Sequence, residues 1–147
     1  MKYLYICIGL LLIAACKTYS EEELTAFDTE IKNYLDKKNM DCERSESGLY
    51  YTIIESGEGR KIQYTDIVSF TYSGSFLSGE IFEEQKEPVN FEVKELIGAW
   101  KEIMLELNNG GKAFLIAPPN LGYGTHDLDD IPPNSILVFN IEIKDVK

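Results

Sequence analysis

The chain has 147 residues, enough for one domain with short appendages and a core of ordinary size. Asp and Glu outnumber Lys and Arg by 25 to 14, a formal charge of -11, which argues against nucleic acid as a partner because phosphate-backbone binding relies on Lys and Arg displacing counterions. Of the three cysteines, Cys7 and Cys16 stand near the N-terminus and only Cys42 belongs to the body, so no internal disulfide is available there.

Lys2 precedes an apolar run from Tyr3 to Ala15, shorter than the ~18 residues that suggest a membrane-spanning helix. The pattern is that of a signal peptide over residues 1–15. Ile13-Ala14-Ala15-Cys16 resembles a bacterial lipobox, in which small residues precede a cysteine that is lipidated and becomes the mature N-terminus. That resemblance implies lipidation at Cys16 and a protein of the bacterial cell envelope, anchored to a membrane and facing the periplasm or the cell surface. The alternative is an ordinary secretory signal cleaved near Ala15, with Cys16 a free thiol; it keeps export and loses the anchor.

In residues 16–45, Ser20 and Glu23 have the spacing of a helix capping box, and Leu24, Phe27, Ile31, Tyr34 and Leu35 recur at helical spacing to about Asn39. An amphipathic helix is therefore expected between the anchor and the domain. Its stripe suits a dimerisation seam, packing on its own domain, or a spacer. Asp41 to Gly48 is polar and reads as a linker into a domain covering residues 46–147.

Within that domain, alternation over Leu49 to Ile54 predicts a first strand, stopped by Ser56-Gly57-Glu58-Gly59. Val68, Phe70 and Tyr72 define the apolar face of a second strand; Ser78-Gly79 marks a turn, and Val89, Phe91 and Val93 predict a short strand after Pro88. Leu96, Ile97, Trp100, Ile103, Met104 and Leu107 have helical spacing, closed by Asn109-Gly110-Gly111. Ala113 to Ala117 reads as a buried central strand, and Leu137, Phe139, Ile141 and Ile143 alternate as the last one. The fold class expected is α+β: a twisted antiparallel sheet wrapped around one α-helix, preceded by the signal peptide and the amphipathic helix.

Five segments in order, SGLYYTIIESGEG, DIVSFTYSGSFLSGEIFE, LIGAWKEIMLELNNGGK, GGKAFLIAPPNLGYG and IPPNSILVFNIEIK, resemble the FKBP-type peptidyl-prolyl isomerases over about residues 48–147. The resemblance implies an aromatic cup with Trp100 as its floor, flanked by Tyr72, Phe82 and Phe139. It also implies that Tyr123 in NLGYG binds a substrate carbonyl through its hydroxyl, that Leu96 and Ile97 supply a backbone N–H and an apolar wall, and that Ile131 caps the pocket. Glu83 follows Phe82 where the family usually has Asp, so a carboxylate is kept one methylene longer. Val89 stands where an aromatic is usual, which thins one wall. The segment between Phe91 and Trp100 and the loop from Thr125 to Asp130 are shorter than the common pattern, so His126 has no matched family position.

Isomerisation breaks no covalent bond, so the resemblance calls for no nucleophile, no cofactor and no metal. His126 with Asp127, Asp129 and Asp130 fits no EF-hand spacing and reads as a solvated acidic loop. The function implied is isomerisation of X-Pro bonds in proline-containing exported polypeptides, with chaperone-like binding by the same cup. A non-catalytic module that uses the cup to dock one envelope partner is the second reading, favoured by Glu83 and Val89. The lipobox, short helix and single domain also resemble isomerase-type lipoproteins associated with bacterial gliding motility. Oligomeric state is left open.

Overall fold

The capping box forms as expected at the start of the computed structural model, which describes residues 19–147: the Glu23 N–H donates to Ser20 Oγ at 3.2 Å and the Ser20 N–H to the Glu23 carboxylate at 2.8 Å. These bonds satisfy amides that the first turn of a helix leaves unpaired. Helix α1 (Glu21–Lys38) follows, with Glu21, Glu22 and Glu23 in its first turn and Lys37 and Lys38 in its last, each favourable to the helix dipole. Asn39 ends it in the left-handed conformation. The expected signal peptide, Cys7 and the expected lipidation site at Cys16 lie outside the described residues.

The rest of the chain runs β1 (Glu43–Arg44), β2 (Tyr50–Glu55), β3 (Glu58–Lys61), β4 (Ile67–Phe76), β5 (Ile81–Glu92), a 3₁₀ turn at Val93–Glu95, α2 (Gly98–Met104), β6 (Asn108–Asn109), β7 (Lys112–Ala117), a 3₁₀ turn at Pro119–Leu121, and β8 (Leu137–Val146). Six strands form one antiparallel sheet in the order β1-β2-β7-β8-β4-β5, and β3 pairs with β6 beside it. The expected sheet wrapped around one α-helix is the architecture observed.

Alternation makes the sheet two-faced. Ala113, Leu115 and Ala117 of β7 join Leu137, Phe139, Ile141 and Ile143 of β8 in a core with Ala99, Trp100, Ile103 and Met104 of α2. On the opposite face, Tyr50, Ile116 and Val138 pack with Ile31 and Leu35 of α1. The stripe of α1 is thus spent on its own domain. Ile31 is fully buried, and burying an aliphatic side chain of that size contributes ~1.5–3 kcal/mol.

Four expectations need correction. The strand expected after Pro88 is the second half of β5, which runs unbroken from Ile81 to Glu92. Proline is tolerated there because β5 is an edge strand and because the ladder skips from Phe70↔Val89 to Tyr72↔Gln85, bulging Lys86 to Pro88 out of register. Val93 lies beyond it in the 3₁₀ turn. The second helix is shorter than its apolar spacing predicts: Leu96 and Ile97 precede α2 and Leu107 follows it, although Leu96 and Leu107 are buried. Their periodicity reports a common core, not a continuous helix. The stretch read as a linker contains β1, and the Gly57-Glu58-Gly59 stop leads into β3, which the polar sequence does not announce.

Candidate functional site

The rings lie where three elements meet. β4 supplies Tyr72, β8 supplies Phe139, and α2 sets Trp100 against both. The Trp100 ring centroid is 4.7 Å from Tyr72, 5.0 Å from Phe139 and 5.3 Å from Phe70, all in edge-to-face arrangements. Phe82 of β5 meets Phe139 edge-on at 5.9 Å, and Phe76 packs on Phe82 at 5.1 Å. Edge-to-face contacts match the positive ring edge with the negative ring face and fix orientation as well as distance. Trp100 and Phe139 are buried, whereas Tyr72 and Phe82 are half-buried, so the cluster has a deep floor and accessible sides. Trp100 Nε1 is buried without a hydrogen-bond partner among the described residues.

Gly74 sits under this cluster, and its role is not evident from the sequence. It faces Phe139 across the β4–β8 ladder and Glu83 across β4–β5. A Cβ at this position would lie 2.5 Å from Phe82 Cζ and 3.0 Å from Phe139 Cε1. Only a residue without a side chain lets both rings lie down over the strand. The signal available was a glycine inside an otherwise alternating strand, in TYSGSF, which marks close approach of another group. Phe76 carries no such signal beyond being aromatic.

Tyr72 and Tyr123 are both held above the ordinary tyrosine value. For Tyr72 the cause is first burial, then the neighbouring Glu83 carboxylate, and then the Tyr123 side chain. For Tyr123 it is burial followed by the charge of Glu83. Both phenols therefore remain protonated donors at neutral pH. The sequence-predicted residues Tyr72, Phe82, Glu83, Trp100, Phe139 and Tyr123 thus fall into one neighbourhood.

The remaining candidates distribute around it. Leu96 is buried and Ile97 half-buried at the entry to α2, both packed into the same core, and Ile131 is buried against it from the long β7–β8 connection. Val89 stands opposite Phe70, whose ring touches Tyr72 and Trp100, and packs against the same core. His126 lies on the exposed part of that connection, its Nδ1 2.7 Å from the Tyr123 carbonyl oxygen. Among the described residues no group of three or more His, Cys, Asp or Glu side chains is placed to hold a metal ion.

The family model described as FKBP-type peptidyl-prolyl cis-trans isomerase matches residues 58–144. FkpA of Escherichia coli K12, an FKBP-type peptidyl-prolyl cis-trans isomerase, is 36% identical over 132 residues, which cover 85% of this chain and 49% of that protein. A probable FKBP-type isomerase of Haemophilus influenzae is 37% identical over 113 residues, 74% of this chain and 47% of the other. The chain therefore spans about half the length of these curated relatives. Among solved structures, the crystal structure of Escherichia coli FkpA superposes with a TM-score of 0.74 at 33% identity, covering 86% of this chain and 62% of that one. A peptidyl-prolyl isomerase from Pseudomonas syringae pv. tomato gives 0.71 at 25% identity, covering 88% and 97%. With a family model matching more than half of its residues and the sheet, helix and aromatic cluster in place, the chain belongs to the FKBP-type peptidyl-prolyl cis-trans isomerase family.

Proposed function

We propose that the protein is a peptidyl-prolyl cis-trans isomerase that acts on X-Pro bonds of exported polypeptides and is held to a bacterial membrane by a lipidated Cys16. The observation that carries the activity is the convergence of Tyr72, Phe82, Trp100 and Phe139 in one aromatic cluster, with Tyr123 packed against the same core. Planar X-Pro amides resist rotation by ~18–20 kcal/mol because of resonance. The twisted amide has lost much of its charge separation, so moving it into an apolar cup costs less than moving the planar form. A differential of ~4 kcal/mol accelerates the reaction about a thousandfold.

In this reading Trp100 is the floor on which the proline ring rests, and Tyr72, Phe82 and Phe139 exclude water from the amide. Tyr123 donates to a substrate carbonyl and holds the chain still on one side of the rotating bond. Leu96, Ile97 and Ile131 shape the apolar margin, and the Glu83 carboxylate keeps the Tyr72 hydroxyl protonated. The support for the anchor is the Ile-Ala-Ala-Cys pattern after an apolar run. The export context, and with it assistance to folding envelope proteins and kinship with gliding-motility isomerases, rests on the same residues.

A proline-isomerisation assay that uses no coupling protease, run on the mature full-length chain, should show acceleration above the spontaneous rate. Tight binding of proline peptides with no acceleration would instead establish the docking-module reading. Mass spectrometry of membrane-extracted protein should find acyl groups on Cys16; an unmodified, soluble product would remove the anchor from the proposal.

A further inference from the structure

α1 does more than cover the back of the sheet. Its N-terminal end stands beside the connection that carries Tyr123, and between them lies a groove of about 660 Å³. Tyr19 and Leu24 line one side, and Pro119, Tyr123 and Leu128 line the other. Leu24 and Leu128 are 39% and 40% exposed, so each leaves apolar surface in water that an occupant would cover. In a chain of formal charge -11, no Asp, Glu, Lys or Arg among the described residues lines this groove, whose polar members are Asn120, Thr125 and His126.

Its walls are fixed before anything binds. The Tyr19 hydroxyl donates to Asn134 Oδ1 at 2.7 Å, and the Tyr19 ring meets Phe27 edge-on at 5.3 Å. The Asn134 N–H donates to the Gly124 carbonyl at 2.8 Å, and the Gly124 N–H to the Pro119 carbonyl at 2.9 Å. Tyr123 belongs both to this groove and to the neighbourhood of the aromatic cup. A polypeptide with its proline in the cup that passes Tyr123 would enter the groove.

We propose that the groove is an extension of the proline cup, in which an apolar side chain flanking the proline of an unfolded polypeptide lodges between Leu24 and Leu128. This rests on the isomerase reading above and adds α1, outside the cup itself, to the substrate-binding surface. An uncharged, apolar occupant follows from the lining, and continuity through Tyr123 selects the substrate chain over other partners.

The test uses peptides with one proline in a Gly/Ser/Ala background and a single Leu moved along either side of it, assayed with the full-length chain. The wild type should show one favoured Leu position, where kcat/KM exceeds that of the Leu-free peptide by about tenfold, the lower end of what burying one such side chain provides. Leu24→Gln, similar in size and a good helix former, should flatten that preference, Leu24→Met should keep it, and the Leu-free peptide should be turned over alike by all three. A positional preference of full size in Leu24→Gln overturns the proposal. So does a concentration-dependent dimer of the wild type that Leu24→Gln abolishes, which would assign the groove to a second copy. No acceleration of any peptide by the wild type would instead defeat the isomerase reading on which the proposal stands.

Discussion

At Gly74 a missing side chain shapes the cup as much as the rings above it. Gly74→Ala places a methyl group 2.5 Å from the edge of Phe82, and the half-buried ring has room to swing outward. The variant should lose ~1–3 kcal/mol of stability through overpacking and, because Phe82 leaves its seat, more than about tenfold in kcat/KM. Denaturant titration and the isomerase assay on the same preparation check both; unchanged kcat/KM would show that the Phe82 ring position is irrelevant to catalysis. Tyr72 and Tyr123, both held above the ordinary tyrosine value, stay protonated across neutral pH. The rate should therefore be flat between about pH 6 and 8, and Tyr123→Phe should cost at most ~1.5 kcal/mol in the barrier, about tenfold, which a pH-rate profile and the single variant would reveal. Trp100, Tyr72, Phe82 and Phe139 were legible because each sits inside a motif carrying the family resemblance. Gly74 and Leu24 were not, since their importance lies in what approaches them from elsewhere in the fold.

Helix α1 is tied down by one carboxylate. Asp28 accepts from Arg44 Nε and from the Tyr50 hydroxyl, each at 2.7 Å, and pairs with Lys32 at 2.7 Å, joining the helix to β1 and β2. Burial pushes its carboxyl up, but the bonds from Lys32, Tyr50 and Arg44 together with the Arg44 charge outweigh burial and bring it down to about 2 from 3.8. A carboxylate depressed in the folded state contributes stability above its unfolded value, lost as pH falls through the folded one. The loss should thus fall between about pH 4 and pH 2 and amount to about 2 kcal/mol. Urea titrations should show this acid sensitivity in the wild type and a much weaker one in Asp28→Asn, which should already be less stable at pH 6; equal slopes would exclude Asp28 as the source. The capping box and the apolar stripe made α1 readable, because both are local patterns. β3 and β6 were not readable: they are short and polar, and exist because they pair with each other. Pro88 divided β5 on paper, although an edge strand does not need every N–H in its ladder.

As a whole, the molecule has three layers, α1 on one face of the sheet and α2 on the other. Family motifs made the α2 side legible; the outer layer had been open between seam, spacer and domain packing, because a stripe does not say which surface it meets. Since α1 folds back, it adds no distance between the domain and whatever precedes it. Tyr19 is bonded to Asn134 in the connection that bears Tyr123. With Cys16 as the proposed anchor, three peptide steps separate the acylated residue from Tyr19, and a chain of that length reaches at most about 11 Å. The protein would then be on a short leash, its groove side held near the lipid headgroups, and a client would be engaged as it leaves or lies along the bilayer. Trp100, the only tryptophan of the chain, is a built-in donor for measuring this. Energy transfer from Trp100 to acceptor-labelled headgroups should fall when about 20 Gly/Ser residues, spanning roughly 25 Å, are inserted before Tyr19, while turnover of a free peptide stays the same. Unchanged transfer would mean that Cys16 does not set the distance between the domain and the bilayer.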